Sequence, residues 1–192
     1  MSIFNKKFFL LLIYLALFSG CSLTPLPKRT LTEVYNSTKE LSLMLQELNA
    51  TVDKKEANDL AKEAILYSSK LAKKYKLVSP PLWHNTLINI GIKKRGLCYQ
   101  WADDLLKYLH NRGYKTLIFY YVGSDIDSYF EHNAIVVSAK GMGFEDGILL
   151  DAWRNSGNLF FIKVKEDKKY SWRSREDIYE MTFPHLKRWG KF

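Results

Sequence analysis

Apolar residues recur at helical spacing through the first half of the chain and at strand spacing through the second. Val34, Leu41, Leu45 and Leu48 follow one another at intervals of 7, 4 and 3, one face of an amphipathic helix. Thr30-Leu31-Thr32-Glu33 is a capping-box pattern, which places the helix start. A second helix begins near Asp53, with Glu56 three places on, and Ala57, Leu60, Ala61, Ala64, Tyr67, Leu71 and Tyr75 share one face. Together they predict a helical hairpin over residues 30–76, packed on the core or bracing it. Ser79-Pro80-Pro81 opens a third, shorter helix, with Trp83, Leu87 and Ile90 as its apolar face and Gly91 as its stop. A strong helix is expected over residues 98–110, striped by Trp101, Leu105, Leu106 and Leu109 and ended by Asn111-Arg112-Gly113. Beyond Gly113 the pattern predicts strands at 116–122, 133–139, 147–153 and 159–164. Residues 123–129 form a polar connection, and Gly141-Met142-Gly143 a hairpin turn. Helices first, then an antiparallel meander, is an α+β arrangement.

With 192 residues, 47% hydrophobic and 26% charged, the chain has the composition of one globular domain with an appendage. Wholesale disorder and a polytopic membrane protein are excluded. Two cysteines, Cys21 and Cys98, exclude a disulfide-rich scaffold and a four-cysteine zinc module. No two of His84, His110, His132 and His185 stand at metal-motif spacing. The charge of +9 is not accompanied by a basic, aromatic-interleaved nucleic-acid motif, so no nucleic-acid partner is expected. From Lys165 onward the tail is basic and aromatic, with Trp172 and Trp189.

The N-terminus carries an address. Lys6 and Lys7 precede 13 uncharged residues, 8–20. That run is shorter than the about 20 residues a spanning helix needs and fits a secretory core of about 7–15. It ends in Leu17-Phe18-Ser19-Gly20-Cys21, which resembles a bacterial lipobox, Phe18 departing from the commoner Leu. The resemblance implies that residues 1–20 are removed, that Cys21 is lipidated, and that 21–29 tether the domain to a membrane. A plain signal peptide or signal anchor with an incidental Cys21 is the alternative. By resemblance to Gram-negative sorting rules, Ser22 after the cysteine directs the protein to the periplasmic face of the outer membrane. The mature chain then holds 27 Lys and Arg against 20 Asp and Glu, a charge suited to an anionic envelope surface. Cys98 becomes its one free thiol, in a compartment where an unpaired thiol is either buried or used.

Three positions therefore matter together. Cys98 follows Gly96 at a helix start, His132 opens a strand 34 residues later, and Asp151 lies in the next strand, 19 residues on. The thiolate is the nucleophilic form of cysteine, and a helix N-terminus stabilises it. A neighbouring imidazole takes the proton and returns it to the leaving group, while an acid on the other ring nitrogen fixes tautomer and orientation. Adjacent antiparallel strands bring His132 and Asp151 within about 5 Å. Singly, each residue also has a plain reading: a small buried hydrophobe, a satisfied polar residue, a strand cap. Zinc accepts all three side-chain types, but no paired-ligand spacing supports a metal site.

Gly96-Leu97-Cys98-Tyr99-Gln100-Trp101-Ala102 resembles the nucleophile segment of transglutaminase-like proteins, in the papain-like cysteine protease superfamily. Glu131-His132-Asn133-Ala134-Ile135-Val136 is similar to the histidine strand, and Leu149-Leu150-Asp151-Ala152-Trp153 to the aspartate strand. Ala152 stands where the family often has Pro, and no aromatic follows His132. The resemblance covers about residues 83–161. It implies a papain-like core, a catalytic helix packed on an antiparallel sheet, over residues 77–192. It also implies a Cys98–His132–Asp151 triad that needs no cofactor. The expected activity is that of a cysteine peptidase, amidase or transglutaminase-like acyltransferase acting on envelope proteins or peptidoglycan peptides. A binding or assembly lipoprotein that keeps the fold without turnover is the alternative, with the hairpin as partner surface. The Cys98 N–H is the natural first oxyanion donor, and Asn85, Asn89 and Gln100 are open as the second. Trp101 and Trp153 are expected to pack the core or wall the site. Lys93, Lys94 and Arg95 are read as a solvated loop or a binder of acidic groups.

Overall fold

The computed structural model describes residues 29–175; the leader, Cys21 and Trp189 lie outside the described residues. The described residues are mixed α+β, with four helices followed by a five-stranded antiparallel sheet. The helices are α1 (Leu31–Gln46), α2 (Lys54–Lys74), α3 (Pro81–Asn89) and α4 (Cys98–His110). The strands are β1 (Leu117–Ser124), β2 (His132–Ala139), β3 (Ile148–Asp151), β4 (Phe160–Lys163) and β5 (Arg173–Ser174), in the spatial order β4-β3-β2-β1-β5. None of the described helices is long and apolar enough to cross a membrane.

The expected start signals form as written. Thr30 Oγ1 accepts from the Glu33 N–H and the Thr30 N–H donates to the Glu33 carboxylate, closing the capping box of α1. Asp53 caps α2 by accepting from the Lys55 and Glu56 N–H groups. The carboxylate of Glu56 does something the spacing did not show. It accepts from the N–H groups of Lys115 and Thr116 and from the Thr116 hydroxyl, tying the start of α2 to the entry of β1.

One face of the sheet packs on the helices. Leu41 and Leu45 of α1, Leu60, Ala64, Ile65 and Leu71 of α2 and Leu105, Leu106 and Leu109 of α4 share a single core with Ile135, Val137, Ile148 and Leu150. The hairpin is therefore part of the main core. The other face is also covered, which is why all of β2 is buried. Residues 164–172 leave β4 at one edge and reach β5 beyond β1 at the other, so the chain must cross the sheet. Val164, Tyr170 and Trp172 pack there with Val122, Ala134, Val136 and Leu149.

Differences from expectation are local. The third strand ends at Asp151, and Ala152 and Trp153 enter a turn. The Gly141–Gly143 turn is lengthened by a 3-10 turn at Phe144–Asp146. A two-residue strand, β5, forms inside what reads as tail. The expected apolar face of α3 is wrong in part: Trp83 and Ile90 are exposed, whereas Leu87 and His84 are buried. His84 is buried because both ring nitrogens are satisfied, Nδ1 accepting from the Val78 N–H and Nε2 bonding the Arg95 carbonyl.

Candidate active site

Cys98 is the first residue of α4, and the chain before it is held from several sides. The Gln100 side-chain oxygen accepts from the N–H groups of Gly96 (2.6 Å) and Leu97 (3.1 Å), and the Trp101 indole donates to the Gly96 carbonyl at 2.9 Å. Gly96 has φ +133°, a region side chains rarely adopt, and a Cβ there would lie 2.5 Å from the His84 ring. The Gln100 side-chain oxygen is thus committed to shaping the turn, while its amide nitrogen donates to the Tyr99 hydroxyl at 3.3 Å. Trp101 is a core residue. Arg95 pairs with Asp104, and the Lys93 ammonium donates to the Lys76 carbonyl.

Half-buried Cys98 meets the sheet at the very start of β2, its Sγ 3.7 Å from the Glu131 carbonyl oxygen. Glu131 in turn is fixed by Arg175 and Asn133 at 3.1 Å each and by the Asp127 N–H, so the connection leading into His132 is braced. His132 is 3% exposed and Asp151 1%. His132 Nε2 donates to Asp151 Oδ2 at 2.7 Å, and the Cys98 thiol is a second hydrogen-bond partner of the imidazole. With Nε2 taken by the carboxylate, Nδ1 is the nitrogen left for sulfur.

The two strands do not set His132 and Asp151 directly opposite each other. The last β2–β3 pair is Ile135 with Leu150, so Asp151 stands one step beyond it and reaches the ring diagonally. Period-two alternation puts both side chains on the sheet face away from the helices. There the ring lies among Trp153, Tyr170 and Trp172, with centroids at 4.8, 4.6 and 5.5 Å. Trp153 also donates its indole N–H to Asn85 Oδ1 at 3.2 Å, linking α3 to the site.

Asp151 uses both oxygens. Oδ1 accepts from the N–H groups of Trp153 and Arg154, which shapes the turn, and Oδ2 accepts from His132 and from Arg154 Nε at 3.0 Å. Burial alone would raise its pKa; His132 and Arg154 more than reverse this and hold the carboxyl below its usual range. Burial works against a charged His132 as well, but the Asp151 charge and hydrogen bond, with the Cys98 contact, push its pKa up to about 9. At neutral pH the ring is an imidazolium beside the thiol.

The structure thus brings Cys98, His132 and Asp151 together in the expected order. Sequence reasoning missed Arg154, Asp167, Tyr170 and Trp172; the last two were read only as an aromatic tail. Among the described residues no three His, Cys, Asp or Glu side chains cluster as a metal site. Comparisons with family models, with curated proteins and with solved structures each return no match.

Proposed function

We propose that this chain is an envelope lipoprotein, anchored through Cys21, that cleaves or transfers amide-linked acyl groups with a Cys98–His132–Asp151 triad on a papain-like, transglutaminase-like core. The observation that carries the reading is the buried His132 Nε2–Asp151 Oδ2 bond of 2.7 Å on a ring whose other partner is the Cys98 thiol. The Cys98 thiolate attacks the carbonyl carbon, the C–N bond breaks, and His132 gives its proton to the departing amine. Water or a second amine then attacks the thioester, His132 takes the proton, and the thiolate leaves. Asp151 keeps the ring's tautomer and orientation. The Cys98 N–H at the start of α4 serves as first donor to the oxyanion. Exposed Tyr99, Tyr129 and Phe130 flank the thiol and the histidine strand, which favours protein or peptide substrates with bulky apolar side chains.

The test is acyl-enzyme capture. The full chain, extracted in detergent, is incubated with p-nitrophenyl acetate and analysed by mass spectrometry. An acetyl thioester on Cys98, labile to hydroxylamine and absent from Cys98→Ala and His132→Ala, supports the reading. A folded protein that stays unacylated would favour a binding or assembly lipoprotein. That second reading draws on Leu31, Tyr35, Leu43 and Leu66, large apolar side chains exposed on the α1–α2 hairpin.

A further inference from the structure

We propose that Arg154 is the positioning residue of this site, its guanidinium holding Asp151 at one end and the segment crossing the sheet at the other, so that the His132 ring keeps one orientation. The inference rests on the proposed function only for its consequence in turnover; its geometry and its test do not. Arg154 Nε donates to Asp151 Oδ2 at 3.0 Å, while its two terminal nitrogens donate to Asp167 Oδ1 and Oδ2 at 3.3 and 2.7 Å. The guanidinium plane lies 4.0 Å from the Phe160 ring centroid and 4.8 Å from that of Tyr170. Asp167 passes the hold onward by accepting from the Trp172 indole at 2.9 Å. Tyr170 and Trp172 are the rings that pack on His132 from the crossing segment. One planar fork thus connects the acid that orients the imidazole to the aromatic wall that confines it. A lysine has the charge but not the fork.

The charges form a closed set. Arg154 and protonated His132 face Asp151 and Asp167, all little exposed. The other titratable neighbours of His132 are Cys98 from α4, Tyr170 from the crossing segment and Glu131, which is paired with Arg175. This makes two roles for Arg154 separable by sign. If Arg154 were only a charge beside Asp151, Arg154→Met would remove a competitor for the carboxylate, and His132 would hold its proton more tightly. Arg154→Lys would then change little. If Arg154 positions the ring, both variants loosen the Asp151 contact, whose charge and hydrogen bond hold the proton on the ring, and His132 titrates lower, toward 6.5.

The experiment follows the His132 imidazole carbon resonance against pH in the full chain, assigned with His132→Gln. It also records the rate of iodoacetamide modification of Cys98 at pH 7. Both Arg154 variants should move the titration down by at least one pH unit and slow alkylation about tenfold, while circular dichroism shows a folded protein. A titration that is unchanged or raised in folded Arg154→Lys overturns the proposal. Tyr170→Leu, which removes part of the wall and leaves every charge in place, decides the matter if neither Arg154 variant folds; with the ring free to leave its orientation it should slow alkylation of Cys98 several-fold, and an unchanged rate again overturns the proposal. Absence of an acyl-enzyme alongside the expected titration shifts would instead count against the proposed function alone.

Discussion

Asp151 Oδ2 accepts from His132 and Arg154 at once, and a buried carboxylate with these partners has no neutral substitute of equal effect. Asp151→Asn keeps the shape and removes the charge. Burial of the ring is then opposed only by the Cys98 contact, so His132 should titrate well below about 9 and Cys98 should alkylate about tenfold more slowly at pH 7, as read by ring NMR and by iodoacetamide kinetics. The raised pKa of His132 also sets a pH dependence of stability. The folded value, about 9, lies above the unfolded value of 6.5, so the native state binds the proton more tightly. The resulting stabilisation is complete below about pH 6.5 and is lost as pH rises through about 9. Urea midpoints should fall across that window in the native protein and lose this dependence in His132→Gln. The residues of this core were legible because the chemistry restricts them: a thiol after glycine, a histidine and an aspartate opening and closing neighbouring strands. Arg154 was not, because an arginine three places after an aspartate is common, and its partner Asp167 is fixed only by how the chain returns across the sheet.

At the scale of elements, the turn before α4 decides where the thiol stands. Gly96 is wedged against the His84 ring at positive φ while its N–H and carbonyl are both claimed by side chains of α4. Gly96→Ala meets a clash at 2.5 Å and a strained backbone together, so it should destabilise the fold by about 1–3 kcal/mol and displace Cys98. Denaturant titration and alkylation rate, measured side by side, check this. Helix periodicity was readable throughout because each helix buries a stripe against one core, as in Leu105, Leu106 and Leu109. The limits of α3 as an amphipathic helix arose from the same logic. It is short and sits at the rim, so His84, a polar ring with two partners, takes the buried place that Trp83 and Ile90 were expected to fill. β5 was invisible in the pattern because two residues carry no period.

Across the whole molecule, the site lies where a helix N-terminus, two strand ends and the crossing segment converge, and the hairpin supports it from the far side of the core. Leu45 is fully buried between α1 and that core, so Leu45→Ala should cost about 2–5 kcal/mol in a denaturant titration, though it is distant in sequence from Cys98. The proposed membrane attachment is a separate matter, resting on the sequence of residues 1–29. Cys21→Ser should release the protein from the membrane fraction; unchanged processing and retention would end the lipoprotein assignment. The central claim is that His132 makes Cys98 a nucleophile, and the most direct measurement is the rate of iodoacetamide modification of Cys98 against pH. The account predicts fast alkylation at neutral pH, before unfolding, that falls well over tenfold in His132→Ala and less, about tenfold, in Asp151→Ala. A thiol that reacts only when the protein unfolds, or a pH profile that is the same with and without His132, would contradict it.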